Sequence, residues 1–137
     1  MPMALHEQSQ PPLVAVINTT EDIITLLCAA LEDEGYATAR AYVVDFRSGR
    51  QDITAFFDTY RPHAVIFDIA IPYDQNWRFF QEQVLGGGFL PHHKYVLMTT
   101  NLTALQQVVG NIEAFELMGK PFDLGDLLEA VQHVVQQ

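Results

Sequence analysis

Residues 61–72 read Arg61-Pro62-His63-Ala64-Val65-Ile66-Phe67-Asp68-Ile69-Ala70-Ile71-Pro72. Arg61-Pro62 stops any helix that precedes it, because the residue before a proline is pushed out of the helical region. Ala64–Phe67 is short, wholly apolar and followed at once by an acid. A run of that kind predicts a strand covered on both faces, and buried two-sided strands belong to parallel sheets.

The same grammar recurs on either side. Leu13–Ile17 (LVAVI) and Tyr95–Met98 (YVLM) are buried-strand candidates, and Tyr36–Val44 and Phe115–Met118 are weaker ones. Between them lie segments of helical spacing. Asp22 to Glu34 carries Ile23, Ile24, Leu26, Leu27, Ala30 and Leu31, with Thr19, Thr20 or Asp22 to cap it and Gly35 to end it. Asp52–Tyr60, Asn76–Leu85 (ended by Gly86-Gly87-Gly88), Leu102–Val109 and Asp123–Gln136 follow. Asp123 is the expected cap of the last helix, and Leu124, Leu127, Leu128, Val131, Val134 and Val135 are its inner stripe. Five alternating βα units predict an α/β fold: a doubly wound, five-stranded parallel sheet between two helical layers, of flavodoxin-like type. Residues 1–12 are expected to be a loose tail and residues 13–137 one domain.

Composition narrows the function. The chain has 137 residues, 49% of them hydrophobic, enough for a core. Seventeen acids against seven Lys and Arg give a formal charge of −10. Such a field opposes nucleic acid and anionic membrane surfaces. A single cysteine, Cys28, makes neither an internal disulfide nor a thiolate zinc site. With no secretory pattern and no spanning run, a cytoplasmic location is expected.

In open α/β sheets, ligands meet the carboxyl ends of the strands. The polar residues there are Asn18, Thr19, Thr20, Glu21 and Asp22 after the first strand, and Asp68 after the third. Thr99, Thr100 and Asn101 follow the fourth strand, and Lys120 the fifth. A carboxylate, a hydroxyl and an ammonium thus converge on one edge. Phe67-Asp68-Ile69-Ala70-Ile71-Pro72, Val96-Leu97-Met98-Thr99-Thr100 and Gly119-Lys120-Pro121-Phe122-Asp123, with the Arg61–Val65 lead-in, resemble the receiver (CheY-like) domain of two-component response regulators. The resemblance covers roughly residues 13–136. It implies that Asp68 is the phosphoacceptor, that Thr99 is the switch hydroxyl contacting the phosphoryl group, that Lys120 pairs with the aspartate and then the phosphate, and that the Lys120–Pro121 bond is cis. It implies a sensor histidine kinase or another signalling protein as partner, no enzymatic activity of its own, and a signalling face made by the fourth helix, fifth strand and fifth helix, where a homodimer could also form. The sequence ends with the fifth helix, so a stand-alone module is expected.

The sequence departs from the family at the metal site. The family's acidic pair after the first strand falls on Asn18 and Thr19, which carry no charge. Mg²⁺ favours carboxylate oxygens. Asn18, Asp68 and the Ala70 carbonyl remain as poor candidate ligands, with Glu21 or Asp22 as distant substitutes, so phosphorylation dependent on Mg²⁺ is expected to be impaired. With two carboxylates gone, a direct Asp68–Lys120 ion pair is expected. Leu117 stands where the family often carries the aromatic that moves with the switch. A fully working phosphoacceptor and a flavin- or small-molecule-binding flavodoxin-like module are the alternatives. His92-His93 reads as solvated loop, and Gly86-Gly87-Gly88 stands in the wrong order for a dinucleotide fingerprint. No nucleotide-hydrolase, serine-hydrolase or metalloprotease motif is present.

Overall fold

Strand β1 (Leu13–Asn18) runs between β2 (Ala37–Tyr42) and β3 (Ala64–Asp68), parallel to both. In the computed structural model, which describes residues 10–109 and 115–137, β4 (Tyr95–Thr99) and β5 (Glu116–Gly119) complete the sheet. The order is β2-β1-β3-β4-β5, with every pair parallel. This is the flavodoxin-like order, whose winding reverses between β1 and β3 and opens a crevice at their carboxyl ends.

Alternation along the strands sorts the core into two halves. Val14, Val16, Ala64, Ile66, Val96 and Met98 face α1 (Glu21–Asp33) and the last helix, α6 (Leu124–Gln136). Ala15, Ile17, Val65, Phe67, Tyr95 and Leu97 face the other layer. That layer holds α2 (Val43–Ser48), α3 (Ile53–Tyr60), α4 (Tyr73–Phe79) and α5 (Leu102–Val109). Phe80 is its hub, with the rings of Phe67, Trp77, Tyr95 and Phe115 at centroid distances of 4.8 to 6.0 Å. A ring fully buried, as those of Phe67, Phe80 and Tyr95 are, contributes roughly 1.5–3 kcal/mol.

Capping follows the expected chemistry at α3 and α6. The Asp52 carboxylate accepts from the Ala55 amide at 2.9 Å, and that of Asp123 from the Asp126 amide at 3.1 Å. Arg61, before Pro62, ends α3 at φ 46°. Lys94 Nζ closes the far end of α6 by donating to the Val134 carbonyl at 2.9 Å.

Two segments differ from the sequence expectation. The strand expected over Tyr36–Val44 ends at Tyr42, and Val43–Ser48 turns into a short helix that buries Val43 and Phe46 on one side. β-branched Val43-Val44 favours a strand, but these residues lie beyond the end of β1, whose last partner pairing is Asn18 with Tyr42. Without a ladder to continue, the chain winds, and Gly49 at φ 82° closes the turn. The helix expected over Asn76–Leu85 begins earlier, after Pro72, and continues as a π turn over Phe80–Val84 and a 3-10 turn over Leu85–Gly87. Gly88, at φ 68°, ends it. The looser π turn buries both Phe80 and Val84. Of the tail expected over residues 1–12, residues 1–9 lie outside the described residues, and residues 10–12 carry no regular secondary structure.

Candidate functional site

Asp68 is the last residue of β3 and is 1% exposed. The Ile69 amide donates to the Met98 carbonyl at 2.8 Å, which fixes the strand end against β4. The Lys120 amide donates to the Thr99 carbonyl at 2.7 Å, and this brings the residue after β5 to the same rim. The Lys120–Pro121 bond is cis, as is Ile71–Pro72. Lys120 Nζ then reaches Asp68 Oδ1 at 2.6 Å. The second carboxylate oxygen accepts from the Thr19 hydroxyl at 2.9 Å. One oxygen of Asp68 is thus in an ion pair, without a hydrogen-bond partner among the described residues, and the other accepts from a neutral donor.

The remaining rim residues make no hydrogen bond to the carboxylate among the described residues. Asn18 is fully buried and turns back on its own chain: its Oδ1 accepts from the Thr19 amide at 2.7 Å. Thr99 is also fully buried, and its hydroxyl oxygen lies 3.4 Å from the Asn101 amide. Thr100 points outward and shares a 2.6 Å hydrogen bond with the Tyr73 hydroxyl. The Ala70 carbonyl accepts from Asn76 Nδ2 at 2.8 Å. Glu21 and Asp22 occupy the exposed first turn of α1, where they suit the helix dipole. Leu117 is half-buried in β5, while Phe115, two residues earlier, packs its ring against Trp77 and Phe80.

Beside Asp68 opens a cleft of about 440 Å³. It is lined by Thr19, Asp68 and Ile71 and by Val43, Val44 and Arg47 of α2. Arg47 donates to Asn76 Oδ1 and lies over the Phe79 ring, 5.8 Å from its centroid. Sequence reasoning missed Arg47 and Asn76. The Val43/Phe46 spacing and Gly49 are compatible with a short helix but do not by themselves distinguish it from a continued strand.

The donor set does not fit Mg²⁺. The ion prefers several oxygens in octahedral array, led by carboxylates. Here one carboxylate is present, already bound to an ammonium and a hydroxyl. The oxygens of Asn18 and Ala70 are occupied by amide donors. Among the described residues no group of three His, Cys, Asp or Glu side chains gathers at any point.

Cysteine, tryptophan and histidine side chains away from the rim fall into structural places. Cys28 is 1% exposed on α1, and Trp77 is buried in the aromatic cluster. His92 and His93 are exposed on a 3-10 turn, with the His92 ring stacked on Phe115. His63 Nδ1 accepts from the Leu13 amide at 3.1 Å. His6 lies outside the described residues. No helix among the described residues is long and apolar enough to cross a membrane.

No family model matches the chain, and no curated protein matches it. Solved structures do. Chemotaxis protein CheY4 of Vibrio cholerae superposes with a TM-score of 0.67 at 22% identity, covering 90% of this chain and 98% of that one. A response regulator receiver protein from Pseudomonas putida gives 0.65 at 18% identity, covering 91% and 98%. A response regulator receiver protein from Sinorhizobium medicae gives 0.63 at 16%, covering 92% and 95%. At these identities the likeness is one of fold, and the chain has, over nearly its whole length, the CheY-like fold of response-regulator receiver domains.

Proposed function

We propose that this protein is a divergent receiver-like module of two-component signal transduction, acting through protein contact rather than as an enzyme. Asp68 is its candidate phosphoacceptor, Lys120 and Thr99 the candidate phosphoryl contacts, and phosphorylation dependent on Mg²⁺ is impaired. The observation that carries this reading is the doubly engaged carboxylate: Lys120 at 2.6 Å on one oxygen and the Thr19 hydroxyl at 2.9 Å on the other.

Phosphoryl transfer to a carboxylate needs a free oxygen lone pair and neutralisation of the charge on the moving group. Hydrogen bonds and a paired cation stabilise the carboxylate as it stands and blunt it as a nucleophile. Each Asp68 oxygen keeps a second lone pair, but its donor draws density from it, so attack on phosphorus is slowed rather than blocked. Lys120 alone then supplies the charge that a lysine and a metal otherwise share. The partner class implied is a sensor histidine kinase or another signalling protein. The surface formed by α5, β5 and α6 is the candidate contact, for such a partner or for a second copy of the chain.

The test is incubation with Mg²⁺ and acetyl phosphate, read by intact mass. A minor phosphoryl adduct in the native chain is expected. It should rise severalfold in an Asn18→Asp/Thr19→Asp double variant and vanish from either background with Asp68→Asn. A complete adduct on the native chain that Asp68→Asn abolishes would replace this reading with that of a fully working phosphoacceptor.

A further inference from the structure

We propose that the cleft between α2 and the end of β3 is a binding site for a small aliphatic monocarboxylate, with Arg47 as its charge anchor. This goes beyond the signalling reading and does not depend on whether Asp68 accepts a phosphoryl group.

Arg47 carries the first observation. The chain bears a formal charge of −10, yet none of the ion pairs among its described residues includes this guanidinium. Its described polar partner is neutral, the Asn76 side-chain oxygen. Asn76 is itself buried and anchored to the Ala70 carbonyl at 2.8 Å, and the Phe79 ring lies under the guanidinium. The cation is thus held in place on the cleft wall with most of its donors unspent. An arginine fork of this kind matches the two oxygens of a carboxylate.

The second observation is apolar. Val44 is 54% exposed and Ile71 is 72% exposed, and both line the same cleft with buried Val43. They offer a short hydrocarbon chain a surface that water now wets. A volume of about 440 Å³ suits a small ligand.

Charge selects the ligand's valence. Lys120 cancels the charge of Asp68, so Arg47 contributes the one uncompensated positive charge at the cleft. The Thr19 hydroxyl donates to Asp68 and the Ser48 hydroxyl to the Asp45 carbonyl at 3.3 Å, so neither donor is spare for a second anionic group. A monoanion balances the site, whereas a phosphate dianion brings an excess negative charge beside Asp68.

Hexanoate is the probe, titrated into the isotope-labelled full chain and followed by amide chemical shifts. Saturable shifts centred on residues 43–48, 70 and 71 and 76 are expected. Acetate, which lacks the tail, should bind more weakly, as should hexyl phosphate, and hexylamine should not saturate. Arg47→Gln should weaken hexanoate by roughly tenfold, the loss of a charged hydrogen-bonding partner. Arg47→Lys, which keeps the charge and loses the fork, should fall between. Should either variant fail to fold, the contrast between hexanoate and hexylamine on the native chain decides alone. Shifts centred elsewhere, no saturation, equal affinity in Arg47→Gln, or tighter binding of hexyl phosphate than of hexanoate would each overturn the proposal.

Discussion

The Lys120 ammonium stands 2.6 Å from the Asp68 carboxylate at the carboxyl end of β3, with the aspartate side chain wholly shielded and the lysine 18% exposed. A buried carboxylate is costly without a paired cation. Lys120→Met removes the partner and leaves a buried charge, so the folded state should lose about 2–4 kcal/mol. Adding Asp68→Asn to that variant should restore much of the loss. Urea unfolding midpoints of the two variants, compared with the native chain, measure both effects. Equal midpoints for all three would mean the pair is weak in solution.

Thr19 is the neutral half of the same arrangement. Thr19→Ala deletes its hydrogen bond to Asp68 and should cost about 1 kcal/mol, while Thr19→Ser, which keeps the hydroxyl, should cost less. The same unfolding experiment separates them. If serine and alanine behave alike, the Thr19 methyl matters rather than the hydroxyl.

Much of this was legible in the sequence, for a physical reason. Ala64–Phe67 and Tyr95–Met98 are apolar at every position because both sheet faces are covered, and such runs are strands in almost any context. They place Asp68 and Thr99 at one rim, and the weaker strand expected over Phe115–Met118 adds Lys120. The strand end at Tyr42 was not legible, because it depends on where β1 runs out of ladder. That is a tertiary fact, and it overrides the strand preference of Val43-Val44. The α2 helix, Arg47 and the cleft wall went unseen with it. Nor could spacing say that the Thr19 hydroxyl would turn to Asp68 while Asn18 turned back to its own backbone.

Tyr95, at the start of β4, tests the core at the opposite end of the strand from Thr99. Burial pushes its phenol well above the ordinary value of 10.0. The folded state therefore holds a proton that the unfolded chain releases first. Stability is at its full value below the unfolded phenol's range and falls as pH rises past it. Tyr95→Phe should flatten that alkaline limb. Tyr36, raised by partial burial and then by Glu34, leaves a smaller slope in both proteins. Near neutral pH the substitution should be neutral or stabilise by up to about 1 kcal/mol, since the buried hydroxyl has no partner among the described residues. Thermal melts across the alkaline range provide the check.

Lys94 closes α6 through the Val134 and Val135 carbonyls at 2.9 and 3.4 Å. Lys94→Met keeps the stem and removes the charge at the negative end of the helix dipole. The cost should be about 0.5–1 kcal/mol. Amide exchange should quicken in the last turn of α6 and stay unchanged in α1. Uniform quickening across both helices would point instead to a general loss of stability.

The central claim is that the rim beside Asp68 is closed by Lys120 and Thr19 and is not a home for a divalent cation. Calorimetric titration with Mg²⁺ tests it most directly. The native chain should give no saturable heat through the low millimolar range, whereas the Asn18→Asp/Thr19→Asp variant should bind one ion. Submillimolar uptake of a single Mg²⁺ by the native chain, lost in Asp68→Asn, would contradict the account.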